Sequence, residues 1–251
     1  MTQQQQPSSR SNRWFIFILI IIVLVVIWLL VTRRFNGTAV ATEPTPVFTS
    51  NVLSPAPPQR VASENSLVFQ DNFDHSVGDW ELSPIGQAEY VNGVMFLEDS
   101  NINGAAWARP HLRFQDIILD VDSRWLGGSV GGAYGIQFRL TDSGEFLGLF
   151  LHNDGWFSII QNGNDADATL YEAYSSAISP AGQPNHIHIE ASGNHFRFFV
   201  NGGYLVDLQL EEAPKAGDIM FVAQKVEGID SFRVGFDNLL IALHPGGEPA
   251  Q

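Results

Sequence analysis

Two patterns of apolar residues divide the chain. Residues 14–31 (WFIFILIIIVLVVIWLLV) form an unbroken apolar run of eighteen positions, with neither helical nor strand alternation. At about 1.5 Å per residue this makes roughly 27 Å of helix, close to the ~30 Å hydrocarbon thickness of a bilayer. In lipid the backbone must satisfy its own hydrogen bonds, so a single span is helical even when rich in Ile and Val. Trp14 and Trp28 suit the interfacial belts, and Arg13, Arg33 and Arg34 bracket the run.

From Leu67 onward the pattern changes to period 2. Short alternating runs recur at 68–73, 88–91, 94–97, 105–108, 117–126, 133–140, 146–152, 156–161, 186–191, 196–201, 219–224 and 232–243, separated by Gly, Asn, Asp and Pro. Many short strands with regular turn signals predict an antiparallel sandwich or barrel. Asn92-Gly93, Asp154-Gly155 and Asn201-Gly202 supply the positive-φ residues that tight hairpins need. Alternation also assigns faces: Leu119, Val121 and Trp125 against Asp120, Asp122 and Arg124; Tyr134, Ile136, Phe138 and Leu140 against Gln137, Arg139 and Thr141. Ile187 and Ile189 likewise oppose His186, His188 and Glu190, and Phe196 and Phe198 oppose His195 and Arg197. One face of each strand fills a core while the other carries acids, bases and amides.

Between the two patterns, residues 33–65 are rich in Pro, Ser and Thr, and Pro-Ala-Pro-Pro favours extended backbone. The expected organisation is a short cytoplasmic tail (1–13), a transmembrane helix (14–32), a stalk (33–65), an exported β-sandwich (66–245) and a tail (246–251). Ala39-Val40-Ala41 has the small-x-small form of a signal-peptidase site. A retained anchor is preferred over a cleaved signal because the apolar run exceeds the usual 7–15 residues.

Charge changes the picture once it is divided. The 251 residues carry a net −14, but residues 1–65 hold five Arg against two Glu, and residues 66–251 hold eight basic groups against 25 acidic ones. A domain at −17 lacks the basic patch that nucleic acids require. The absence of Cys excludes disulfide scaffolds, cysteine nucleophiles and thiolate zinc sites.

Certain residues also carry a family resemblance. Phe69-Gln70-Asp71-Asn72-Phe73-Asp74 with Gly78-Asp79-Trp80, then Tyr134-Gly135-Ile136-Gln137-Phe138-Arg139, Asp154-Gly155-Trp156 and the closing Val234-Gly235-Phe236-Asp237-Asn238 resemble the concanavalin A-like lectin/glucanase superfamily. Laminin-G-like modules and 3-keto-disaccharide hydrolase-like domains of bacterial surface proteins look nearest. The resemblance covers residues 67–243 and implies an all-β, two-sheet antiparallel jelly-roll sandwich. Lectins, hydrolases and adhesion modules share that fold, so it does not choose among them.

The expected role is non-catalytic recognition of a glycan, or of a surface protein, by a membrane-anchored extracytoplasmic module. Its ligand-binding candidates are Trp107, Asp120, Arg124, Gln137, Arg139, His152, Trp156, His188 and Arg197, which mix aromatic faces with hydrogen-bonding groups. Were the domain a glycoside-processing enzyme, Asp122 and Glu190 would be the first candidates. Against that reading, Arg124 stands where the glucanases of the superfamily carry a third acid. No cofactor is required; a structural calcium could use Asp71, Asp74 and Asp237, and the oxygen-rich segment Asn162, Asn164, Asp165 and Asp167 is a second, incomplete candidate. His186, His188 and Glu190 at i, i+2 and i+4 could contribute to a metal site or to a polar face.

Overall fold

The computed structural model describes residues 67–74, 80–84, 87–100, 104–128, 131–163, 166–226, 228 and 230–245. The expected membrane helix at 14–32, the stalk at 33–65 and both tails lie outside the described residues. Within them the chain forms fifteen strands: β1 (Leu67–Asp71), β2 (Glu81–Leu82), β3 (Gln87–Val91), β4 (Val94–Asp99), β5 (Ala106–Arg109), β6 (Ile117–Gly128), β7 (Gly132–Leu140), β8 (Phe146–His152), β9 (Trp156–Gly163), β10 (Ala166–Tyr174), β11 (Pro184–Ser192), β12 (His195–Val200), β13 (Gly203–Gln209), β14 (Asp218–Lys225) and β15 (Phe232–Leu243). They make the expected all-β, two-sheet antiparallel sandwich. Sheet I runs β13-β12-β11-β6-β15-β4-β3, with β1 also paired to β15, and sheet II runs β10-β9-β8-β7-β14-β5-β2.

The period-2 pattern explains sheet I directly. Leu119 and Val121 of β6, Ile187 and Ile189 of β11, and Phe196 and Phe198 of β12 are fully buried against sheet II. Sheet II answers with Tyr134, Ile136, Phe138, Leu149, Phe157, Ile159 and Phe221. Burying each such side chain contributes about 1.5–3 kcal/mol. Aromatic rings bridge the layers: Phe221 stacks on Phe236 at 4.4 Å, and Phe138 meets Phe196 at 5.9 Å.

Sheet II departs from simple alternation. Six of the seven β8 residues are buried, because a second apolar cluster of Phe146, Phe150 and Val222 covers its outer face. The hairpin turns do fall where the Asn-Gly pairs stand, with φ of 53° and 78° at Asn92 and Gly93, and 52° and 75° at Asn201 and Gly202. Three edge strands, β2, β10 and β13, lie where the apolar pattern predicts none.

Arg139 also breaks the expected pattern. Alternation places it outward, yet it is 2% exposed, with φ of 53° beside a register irregularity between β14 and β7. The left-handed residue turns its side chain into the end of the sandwich and sends Leu140 to the outer cluster. There Arg139 donates to the carbonyls of Gln115 (3.0 Å), Gly193 (2.7 Å) and Pro214 (3.0 Å), pairs with Asp116 at 3.1 Å, and lies over the Phe196 ring. It joins three loops and is a structural clamp.

Candidate functional site

The sequence-predicted residues do not share one surface. Asp120, Asp122 and Arg124 (β6), His188 and Glu190 (β11) and Arg197 (β12) belong to sheet I, whereas Trp107 (β5), Gln137 (β7), His152 (β8) and Trp156 (β9) belong to sheet II. The sheets meet through the core, so the two groups occupy opposite outer faces.

On sheet I the polar side chains bind one another. Asp122 lies opposite His186 and Asp120 opposite His188 in the β6–β11 register. His186 donates from Nδ1 to Asp122 and from Nε2 to Asp120, both at 2.8 Å. His188 sits 2.8 Å from Asp120 and 3.3 Å from Glu190, and Glu190 is ion-paired with Arg197. Asn238 donates to the second oxygen of Asp122 at 2.9 Å. Hydrogen bonds to Asp120 and Asp122 push His186 up to about 9, so it stands as an imidazolium between two carboxylates. Burial alone would raise the Asp120 pKa, but bonds from both imidazoles outweigh it and hold this carboxyl well below its usual range. Beside this network lies an open groove of about 570 Å³ lined by Val94, Phe96, Leu126, Pro184, Asp122 and Asp237.

Sheet II carries a different kind of groove, of about 300 Å³. Register places Trp107, Val222, Gly135, Phe150 and Ser158 in one row across β5, β14, β7, β8 and β9. Neighbouring rows run Gln224–Ala133–His152 and Met220–Gln137–Gly148–Ile160. Gly135 and Gly148 are buried within these rows, and Gly148 leaves room for the Phe150 ring. A Cβ on Gly135 would stand 1.9 Å from the Leu149 carbonyl oxygen, and one on Gly148 would stand 2.7 Å from the Phe150 ring. Trp107 and Phe150 form walls, and Gln137, His152, Ser158 and Gln224 supply hydrogen-bonding groups. These are engaged sparingly: His152 and Ser158 are 3.5 Å apart, at the limit of hydrogen bonding.

Three sequence candidates thus converge here, Trp107, Gln137 and His152, with Trp156 at the margin. Sequence reasoning missed Phe146, Phe150, Ser158 and Gln224. The available signal was Gly148 inside Phe-Leu-Gly-Leu-Phe, a gap in an otherwise bulky strand.

The oxygen-bearing residues at the chain ends are partly spoken for. Asp71 accepts from the Phe73 backbone N–H at 2.8 Å and from Trp80 Nε1 at 2.9 Å, which uses both carboxylate oxygens. Asp74 accepts from Asn72, and Asp237 accepts from the Asn238 backbone N–H at 2.6 Å. Burial, with Asp122 and Asp74 nearby, pushes the Asp237 pKa up. Among the described residues, no group of three or more His, Asp or Glu is placed to share a metal ion. Asn164 and Asp165 lie outside the described residues.

Comparison with known proteins agrees with this architecture. A family described as "3-keto-alpha-glucoside-1,2-lyase-like domain" matches residues 68–241. Among solved structures, the carbohydrate binding module CBM66 from Bacillus subtilis superposes with a TM-score of 0.56 at 13% identity, covering 66% of this chain and 97% of that one. A Bacillus licheniformis beta-glucanase gives 0.58 at 11% identity, covering 70% and 98%. A Bacillus subtilis protein of unknown function with a galectin-like fold gives 0.58 at 14% identity, covering 72% and 98%. No curated protein matches the sequence. At these identities the structural likeness establishes the jelly-roll fold.

Proposed function

The chain belongs to the 3-keto-alpha-glucoside-1,2-lyase-like domain family, and from that premise we propose that its sheet II groove binds carbohydrate non-covalently at a cell surface. The observation that carries this reading is the groove's construction: the aromatic surface of Trp107, Phe146 and Phe150 beside Ala133, with the hydrogen-bonding groups of Gln137, His152, Ser158 and Gln224 among them. A sugar offers an apolar C–H face and a belt of hydroxyls, and this surface offers an aromatic wall and matching donors and acceptors. Similarity to a carbohydrate binding module and to a glucanase supports the same ligand class. Glycoside hydrolysis needs two carboxyl groups flanking the bond. Asp167 is the one carboxylate among the described residues lining this groove, and Asn162 donates to it at 2.7 Å.

The apolar run at 14–31 supports anchoring of the domain in the membrane, with the domain outside the cytoplasm. Protease protection of the tail, with N-terminal sequencing of the membrane-fraction protein, tests it; a chain beginning at Thr42 overturns the anchor.

Binding is tested by calorimetry of the full-length protein in a non-glycosidic detergent against glycans of α- and β-linked glucose. Trp107→Ala should weaken affinity at least tenfold, about 1.4 kcal/mol. Silence of the wild type towards every glycan, with and without calcium, would favour a protein partner instead.

A catalytic reading has one observation in its favour. The His152 imidazole lines the groove, and a lyase acting beside a carbonyl begins by proton abstraction, for which imidazole is suited at neutral pH. Consumption of a 3-keto-α-glucoside by the wild type, abolished in His152→Ala with binding retained, would establish that reading. Asp122 and Glu190 lie on the opposite face, in the sheet I network.

A further inference from the structure

The outer surface of sheet II continues past His152. The β8–β9 hairpin closes with the Gly155 N–H donating to the His152 carbonyl at 3.3 Å, and the next residue is Trp156. Trp156 shares its face with Ser158, because the intervening Phe157 points into the core. Across the β9–β10 register Trp156 lies opposite Tyr174, and their rings meet edge-on at 6.4 Å. Gly155, at φ of 90°, makes room for this arrangement: a Cβ there would stand 2.7 Å from the Tyr174 ring. The two rings are 45% and 62% exposed, and they extend the row Gln224–Ala133–His152 to the edge of the sheet. The pair stands beyond the residues that line the groove, as a contiguous aromatic surface left in water at the end of its row.

We infer that the ligand of this groove is an oligosaccharide chain laid across the strands, with Trp107 near one end and the Trp156–Tyr174 pair as a terminal subsite. The inference rests on the carbohydrate reading above and adds the length and direction of the ligand. From β5 to β10 the path crosses five strand spacings, about 24 Å, which is several sugar rings long. Shape favours a glycan over a polypeptide here. Along the groove the rings of Trp107, Phe146 and Phe150 alternate with the hydrogen-bonding groups of Gln137, His152 and Gln224. A sugar polymer presents repeated C–H faces to such rings without needing side-chain pockets. A neutral polymer also meets no charge penalty on a domain carrying net −17.

The test is a length ladder: maltose through maltoheptaose, and the corresponding β-1,3-linked series, titrated into the full-length protein in a non-glycosidic detergent. Affinity should rise at least tenfold from disaccharide to heptasaccharide in one series. In Trp156→Ala/Tyr174→Ala the heptasaccharide affinity should fall to that of the disaccharide, with the urea midpoint unchanged. Equal affinity across both ladders, or a double variant that keeps the full length dependence, overturns this inference and leaves carbohydrate binding standing. Failure of every member of both ladders overturns the carbohydrate reading itself, and this inference with it.

Discussion

Replacing Arg139 with Met separates a structural clamp from a ligand-binding residue. Methionine keeps an apolar stem against Phe196 but removes all five donors of the guanidinium. The carbonyls of Gln115, Gly193 and Pro214 lose a shared donor, and Asp116 loses its cationic partner at 3.1 Å. Asp116 keeps one bond from the Gly193 N–H at 2.9 Å, so the loss is partial on that side. Removing one partner of a buried ion pair costs about 3–5 kcal/mol. For a domain of this size that is roughly 2–4 °C per kcal/mol, a drop in Tm of about 6–20 °C. Arg139→Lys should recover only part of the loss, because a single ammonium cannot reach the planar set of acceptors. Urea unfolding followed by tryptophan fluorescence measures the change. Carbohydrate affinity, measured where both proteins are fully folded, should be unaffected. A stability loss below about 1 kcal/mol, on the scale of an exposed pair, would refute the clamp. So would a tenfold loss of sugar affinity in the folded variant.

Other perturbations follow from the same geometry. Gly148→Val should abolish carbohydrate binding in calorimetry at a cost of about 1–3 kcal/mol, because its side chain must displace the Phe150 ring that lines the groove. Asp71→Ala removes the acceptor of both Trp80 Nε1 and the Phe73 N–H; about 1–3 kcal/mol of stability should go, with a red shift of tryptophan emission. His186 binds its proton more tightly in the folded state, being raised from 6.5 to about 9. Its contribution is therefore fully present below pH 6.5 and lost as pH rises through about 9. Allowing for solvent screening of a partly exposed group, the loss is about 2 kcal/mol across that window. His186→Asn should flatten the decline in a pH series of urea midpoints.

How much of this was legible in the sequence depends on what each strand faces. β6, β11 and β12 have one face in the core and one in water, so Leu119–Asp120–Val121–Asp122 and Ile187–His188–Ile189–Glu190 show the period plainly. β10 escaped notice because only Leu170 and Ala173 of this edge strand pack against the core, half-buried, and a register shift between Thr169 and Tyr171 breaks their alternation. Arg139 was misplaced because a left-handed residue at a bulge reverses the side-chain direction, and nothing local in Gln-Phe-Arg-Leu signals that. The largest gap was the division of candidates between sheets. β6 and β7 are consecutive, yet β6 pairs with β11 and β15 while β7 pairs with β8 and β14. Long-range pairing decides that separation, and composition and alternation are silent about it.

The separation reverses the ranking of the two polar faces. Charged residues crowd sheet I, and a count of hydrogen-bonding groups would place the ligand there. But Asp122, His186, Asp120, His188, Glu190 and Arg197 already form a continuous run of charge-assisted contacts. A ligand hydroxyl entering that run must break contacts charged on both sides and returns hydrogen bonds charged on one side only. The exchange loses free energy. On sheet II the polar groups are fewer, but a sugar hydroxyl reaching Gln137 or Gln224 displaces water and not an ionic partner, while Trp107 gives up apolar surface to the sugar ring. Availability, more than the number of polar groups, is what supports the proposed face. Breaking the sheet I network with Glu190→Gln should therefore leave carbohydrate affinity within twofold in calorimetry, and a larger change would relocate the binding site.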